Sequence, residues 1–183
     1  MINMKKHSII QIDFYSSVKL IKSEEAKINK WLEVASLTFD QLFKKSKLVH
    51  PSWLENTIAI KVSVLLCGDT KIKKLNRDYR KKDKVTDVLS FPSFEDLRKA
   101  KSKNDFTGKV ILLGDLAICH QRVHKQAKDF DISYYDELIH LFVHGMFHLL
   151  GYDHEVSLKE EKLMEVWEKQ ALKLFSTIKK KGR

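Results

Sequence analysis

His144-Gly145-Met146-Phe147-His148-Leu149-Leu150-Gly151-Tyr152-Asp153-His154 gathers three histidines, two glycines and an aspartate at geometrically useful spacing, and the fold is read outward from it. Leu138, Leu141, Phe142, Phe147 and Leu149 recur at a helical rather than an alternating period, which predicts one helix over 134–150. Ser133, three residues before Asp136, is its expected hydroxyl cap. Gly151 is the expected left-handed stop. On that helix His144 and His148 are i and i+4, so their rings leave the same face about 6 Å apart along the axis. A residue without a Cβ then lets the chain fold back, which brings His154 to the same end.

Three neutral imidazoles and a water make a tetrahedral metal site with one open position, the catalytic kind. His140 lies one turn earlier on the same face. Ligands at about 2.1 Å from one zinc lie within about 3.5 Å of each other, whereas His140 and His148 are about 12 Å apart along the axis. The metal set is therefore His144, His148 and His154, and His140 is read as a supporting or proton-transfer residue. A zinc peptidase of the H-E-x-x-H type is disfavoured, because Gly145 stands where its glutamate base belongs.

Upstream, Ile58, Ile60, Val62, Val64 and Leu66 alternate with Ala59, Lys61 and Ser63, the clearest strand in the chain. Gly68 ends it, and Asp69 or Thr70 is the expected cap of a helix carrying Ile72 and Leu75 inward. Around that helix and the following loop lie Lys71, Lys73, Lys74, Arg77, Arg80, Lys81, Lys82 and Lys84, the densest basic cluster. Residues 85–92 read as a short strand closed by Pro92, with Thr86, Asp87 and Ser90 either lining a cleft or holding the strand's edges. Val110 to Ile118 is strand-like with a break at Gly114-Asp115, where a bulge or close backbone approach is expected. Asp115 is a candidate to orient an imidazole N–H.

The string HGMFHLLGYDH is similar to the signature of the YbeY family of metal-dependent endoribonucleases. Residues 75–92, LNRDYRKKDKVTDVLSFP, resemble a second block of that family, and Leu113-Gly114-Asp115-Leu116 a third. Val85 replaces a proline common in the family, which loosens a turn without removing a functional group. The resemblance implies zinc, one per chain, and cleavage of single-stranded RNA. It further implies maturation of the 3′ end of small-subunit ribosomal RNA and ribosome quality control, with the small subunit or its proteins as partners. It also implies that Arg80, the arginine of the YR pair, clamps phosphate, since a planar fork suits a phosphoryl oxygen. Arg77, Lys81, Lys82 and Lys84 are the expected RNA-backbone contacts. The proton acceptor stays open among the metal-activated water itself, His140, Asp153 and the RNA 2′-hydroxyl. The rival reading is a non-catalytic assembly factor that binds ribosomal RNA around a structural metal.

Bulk properties agree. At 183 residues with 43% hydrophobic and 32% charged content, residues 1–183 read as one globular domain. A net charge of +10 favours a polyanionic partner. Cys67 and Cys119 have no C-x-x-C partner, which fits a reducing cytoplasm, and Cys119 reads as a small core residue. Neither a signal peptide nor a membrane span is legible. Residues 8–14 read as a first strand presenting Ile10, Ile12 and Phe14. Glu24–Lys45 reads as a helix packing Ile28, Trp31, Leu32, Ala35, Leu37, Phe39, Leu42 and Phe43, and residues 50–56 as a connector. Residues 95–109 read as a polar loop and 120–130 as a short polar helix. Ser157 and Glu160 form a capping box opening a last helix through Leu163, Val166, Trp167, Leu172 and Phe175. The order gives an α+β fold: a small mixed sheet of about four strands with five to six helices, the metal site at the end of a central helix.

Overall fold

The alternating strand residues pair as expected. The computed structural model describes residues 8–45, 59–99 and 110–181, so the connector at 50–56, Ile58 and most of the 95–109 loop lie outside the described residues. Strands β1 (Ile10–Ser16), β2 (Ala59–Cys67), β3 (Val88–Pro92) and β4 (Val110–Cys119) form one sheet in the order β1-β2-β4-β3. β1, β2 and β4 are parallel, and β3 runs antiparallel along β4 as an edge. Among the described residues five α-helices accompany it: α1 (Lys22–Lys45), α2 (Asp69–Arg80), α3 (His120–Asp129), α4 (Tyr134–Leu149) and α5 (Leu158–Lys181). The fold is α+β. None of these helices is long and apolar enough to cross a membrane.

The main core lies between the sheet and α1, α4 and α5. Phe39 and Phe142 meet edge to face at 5.8 Å, and Trp31 packs against Phe142 at 5.1 Å, so the α1 aromatics belong to packing as their helical spacing suggests. A smaller cluster of Cys67, Ile72, Leu89, Ala117 and Cys119 fills the other sheet face beneath α2. Strand β4 serves both cores through alternating side chains, and it changes phase part-way along. Ile111 and Leu113 face the main core, and after the bulge so do Leu116 and Ile118. The register jumps at this point, Lys61 pairing with Leu112 but Val62 with Gly114. Gly114 has φ +141°, and a Cβ there would collide with the Phe91 carbonyl oxygen and stand 3.0 Å from Leu149 Cδ2. The expected interruption is therefore both a bulge and a close approach.

Two expected caps are made otherwise. Helix α2 is capped by Gly68 with no side-chain bond, since the Asp69 carboxylate instead accepts the Cys119 thiol at 3.0 Å. At α5, the Ser157 hydroxyl accepts the Glu160 N–H at 3.2 Å, but the Glu160 carboxylate turns to Arg98. The inward face of α5 is also rotated from the expected one. Met164, Ala171 and Phe175 are buried, while Leu163 and Val166 are exposed, because α5 packs along α1 and α4 through the i, i+7, i+11 row.

Gly114→Ala forces both a strained φ and a backbone clash, and is expected to destabilise the fold by about 2–4 kcal/mol. Urea unfolding against wild type checks this.

Candidate metal centre

The last two turns of α4 carry His144 and His148 on one face and Gly145 on the neighbouring one. Gly145 lies against β4, where a Cβ would be 2.8 Å from Leu116 Cδ2 and 3.4 Å from Ser90 Oγ. Even a Cβ at that position would need Leu116 to shift. Ser133 caps the start of the helix, its hydroxyl accepting the Asp136 N–H at 3.1 Å. Gly151 takes φ +92° and turns the chain back, as the sequence requires.

The three ligand atoms of His144, His148 and His154 all lie within 4.8 Å of one another. His144 Nε2 and His148 Nε2 are already 3.1 Å apart, close to the roughly 3.4 Å expected between tetrahedral ligands on zinc. His144 Nδ1 is held by the Glu168 carboxylate at 2.8 Å, which leaves Nε2 facing its neighbours. Burial, with His144 and His154 nearby, drives His148 down to about 4, so at neutral pH it carries the lone pair a cation needs. The donor set fits a borderline divalent ion. Among the described residues it is the one cluster of three or more such groups in ligating range.

The histidines open onto a cleft of about 550 Å³ whose far wall is β3 and the end of α2. Arg80 enters from the last turn of α2 and donates through Nη2 to the Ser90 carbonyl at 2.9 Å. The loop behind it is tied down by buried Asn76, whose amide donates to the Lys84 carbonyl at 2.8 Å. Asp87 lines the cleft and also braces the edge of β3. Burial opposes its ionisation, but hydrogen bonds from Gln126, the Val88 N–H and Thr86 hold it below the usual range.

The expected residues divide. His144, His148, His154, Arg80, Lys82, Lys84 and Asp153 line the cleft together. Arg77 pairs with Asp78 and Asp83, and Lys81 adopts φ +58° and donates to the Asp78 carbonyl, so neither faces the histidines. His140 lies beside Glu137 at 3.3 Å in a different hollow between α4 and α5. That hydrogen bond, against the opposing effect of burial, raises its pKa. Asp115 is corrected: it is exposed on the opposite sheet face with Tyr15 and Ser63, and Glu168 performs the orienting role. Asp153 accepts the Glu155 N–H at 2.9 Å, which shapes the turn leading to His154. Cys119 is buried at the end of β4, and burial together with the Asp69 hydrogen bond pushes it up to about 12, which keeps it a thiol.

Two groups went unread in the sequence. Glu168 had one signal, a lone acid on the buried α5 row between Met164 and Ala171. Arg98 had none. Its guanidinium binds Asp96 through Nε and Nη2, each at 2.9 Å, and Glu160 through Nη1 at 2.6 Å, while stacking 4.4 Å over the Tyr152 ring. Asp96 packs against Gly151. Arg98 thus clasps the turn between His148 and His154.

Residues 19–176 match the family model described as endoribonuclease YbeY. The chain belongs to the YbeY family. A member from Leptospira interrogans is 43% identical over 130 residues, covering 67% of this chain and 92% of that protein. One from Aquifex aeolicus is 36% identical over 159 residues, covering 87% and 89%. Both bear the family's endoribonuclease name. A solution structure from Thermotoga maritima superposes with a TM-score of 0.56 at 26% identity, covering 94% of this chain and 93% of that one.

His148 has a folded pKa below its unfolded one. Above about 6.5 both states are neutral and it contributes nothing to pH dependence. As pH falls from about 6.5 towards about 4 the unfolded chain binds the proton first, so metal-free protein loses stability over that window. Urea midpoints of metal-free wild type should fall more between pH 7 and 4.5 than those of His148→Gln. Arg98→Met should weaken zinc binding about tenfold by loosening the turn before His154, measured by chelator competition.

Proposed function

We propose that this chain is a zinc-dependent, single-strand-specific endoribonuclease that matures the 3′ end of small-subunit ribosomal RNA and acts in ribosome quality control. It works in the cytoplasm as a single domain over residues 1–183, with the small ribosomal subunit or its proteins as partners. The observation that carries the reading is the convergence, in one open cleft, of three histidine ligand atoms with a tethered arginine and two lysines.

His144, His148 and His154 hold the zinc in this reading. When bound, zinc supplies Lewis acidity at a phosphoryl oxygen and brings the pKa of water toward 7. Glu168 keeps the His144 ring in the tautomer whose Nε2 lone pair faces the ion, and stabilises the positive charge the ring shares on binding. Arg80 spends one N–H on the Ser90 carbonyl, which fixes the guanidinium plane. Its remaining N–H groups meet the non-bridging oxygens of the scissile phosphate, where negative charge grows in the transition state. Lys82 and Lys84, on the same wall, hold neighbouring phosphates. Asp153 lines the cleft and His140 does not, which favours Asp153 over His140 as a proton acceptor beside the metal-activated water and the RNA 2′-hydroxyl. A single strand, whose bases can be splayed, is the substrate in this reading.

The test is zinc content and cleavage of a single-stranded RNA, measured side by side on wild type, Arg80→Ala and His148→Ala. Wild type, washed free of weakly held metal, should keep one zinc and cut. His148→Ala should lose both. Arg80→Ala should keep zinc while cleavage falls by about 10²–10³. Highly purified, zinc-loaded wild type that cuts nothing would favour the assembly factor with a structural metal. In binding to non-cleavable RNA, log affinity should fall with log salt at a slope of about −2, from Arg80, Lys82 and Lys84 each neutralising one phosphate of a single strand. A salt-independent affinity would remove RNA from the reading.

A further inference from the structure

A second histidine pair lies at the opposite end of α4, beside Tyr134. It is about 20 Å from the His148 turn, the rise of the helix between those two residues. His120 and His124 are i and i+4 at the start of α3, with ring centroids 4.6 Å apart and planes at 86°. The pair His144 and His148 has centroids 4.7 Å apart and planes at 81°. The likeness extends to the anchoring of the first ring. His120 Nδ1 is 2.9 Å from the Tyr134 hydroxyl, as His144 Nδ1 is 2.8 Å from Glu168. With the Tyr134 oxygen accepting from Nδ1–H, Nε2 is the free nitrogen of His120. Tyr134 also flanks the second ring, its centroid 4.4 Å from that of His124. The His120 ring is thus anchored before any ligand arrives, and the His124 ring rests beside it and Tyr134.

We infer that His120 and His124, held by Tyr134, form a second transition-metal site that takes a borderline divalent ion such as zinc, nickel or copper(II). The pair supplies two ligands. Among the described residues no third histidine, cysteine or carboxylate atom joins them in ligating range, so water fills the other positions. The site is consequently weaker and faster to exchange than the three-histidine centre, and its preference follows donor strength, with copper(II) ahead of nickel and zinc. Burial and the neighbouring His124 both lower the His120 pKa, which favours the neutral ring a cation needs. Glu24, on the first turn of α1, opposes that lowering and adds negative charge facing the pair. His124 is exposed, so an ion reaches it without opening the fold. The inference stands on residues separate from the cleft and does not depend on RNA cleavage.

The experiment titrates metal-free protein with zinc and then nickel, counting bound ions by native mass spectrometry and following the histidine ring signals by NMR. Wild type is expected to bind two ions, the second at least tenfold more weakly. His124→Ala should bind only the tight ion and cut RNA at the wild-type rate. His148→Ala should lose the tight ion and keep the weak one, with the His120 and His124 signals shifting. Tyr134→Phe keeps the ring packing but removes the oxygen, and should weaken the second ion about tenfold. A single ion on wild type would overturn the inference. So would a second ion that persists unchanged in His124→Ala or is unmoved by Tyr134→Phe. Loss of the tight ion's stoichiometry in wild type would instead count against the zinc centre alone.

Discussion

Helix α4 must lie against β3 and β4 closely enough that nothing stands between them at Gly145, and the architecture of the cleft follows from that contact. A glutamate there would drive into Leu116 and Ser90. The same approach is continued at the other end of the contact by Gly114, whose missing Cβ leaves room for the Phe91 carbonyl and Leu149. With its glycine face buried, α4 turns His144 and His148 toward the end of β3, where Ser90 holds Arg80. A side chain at position 145 would thus have to displace Leu116. The helix that carries the ligands is also the helix that closes the core.

Charge in the cleft is arranged by what is already neutralised outside it. Asp78 and Asp83 pair with Lys73 and Arg77 on the outer face of α2 and its loop, where exposed ion pairs contribute little stability. Lys82, Lys84 and Arg80 on the inner side have the cleft before them. Acids line it too: Asp153, Glu95 and Glu155 lie on the side of the histidine turn or the segment packed near it, while Asp87, on the β3 wall, is taken up by hydrogen bonds from Gln126, Thr86 and the Val88 N–H. A polyanion and a cation are therefore drawn to opposite walls of one space.

Rigidity comes from segments far away in sequence. Glu168, twenty-four residues after His144, orients that ring, and Arg98 ties the turn of Gly151 and Tyr152 to Asp96 and Glu160. A guanidinium shared by two carboxylates and an aromatic face has few alternative geometries. His154, exposed at the end of that turn, is held by these neighbours more than by its own packing.

What the sequence determined by itself is whatever depends on near neighbours along the chain. The i,i+4 pair, the Ser133 cap, the Gly151 turn and the third histidine three residues later are all local geometry. The break of β4 at Gly114 was legible for the same reason, because a glycine inside a strand pattern marks a bulge or a close backbone approach. The tertiary structure alone decided which cations face the cleft, because Lys81 and Lys82 are adjacent and only the left-handed turn at Lys81 separates their directions. It also decided that Glu168 rather than Asp115 serves His144, and which row of α5 is buried, since Leu163 and Met164 are equally apolar and only packing against α1 and α4 chooses between them. Helical and strand periods are written in single segments. The meeting of two segments is not.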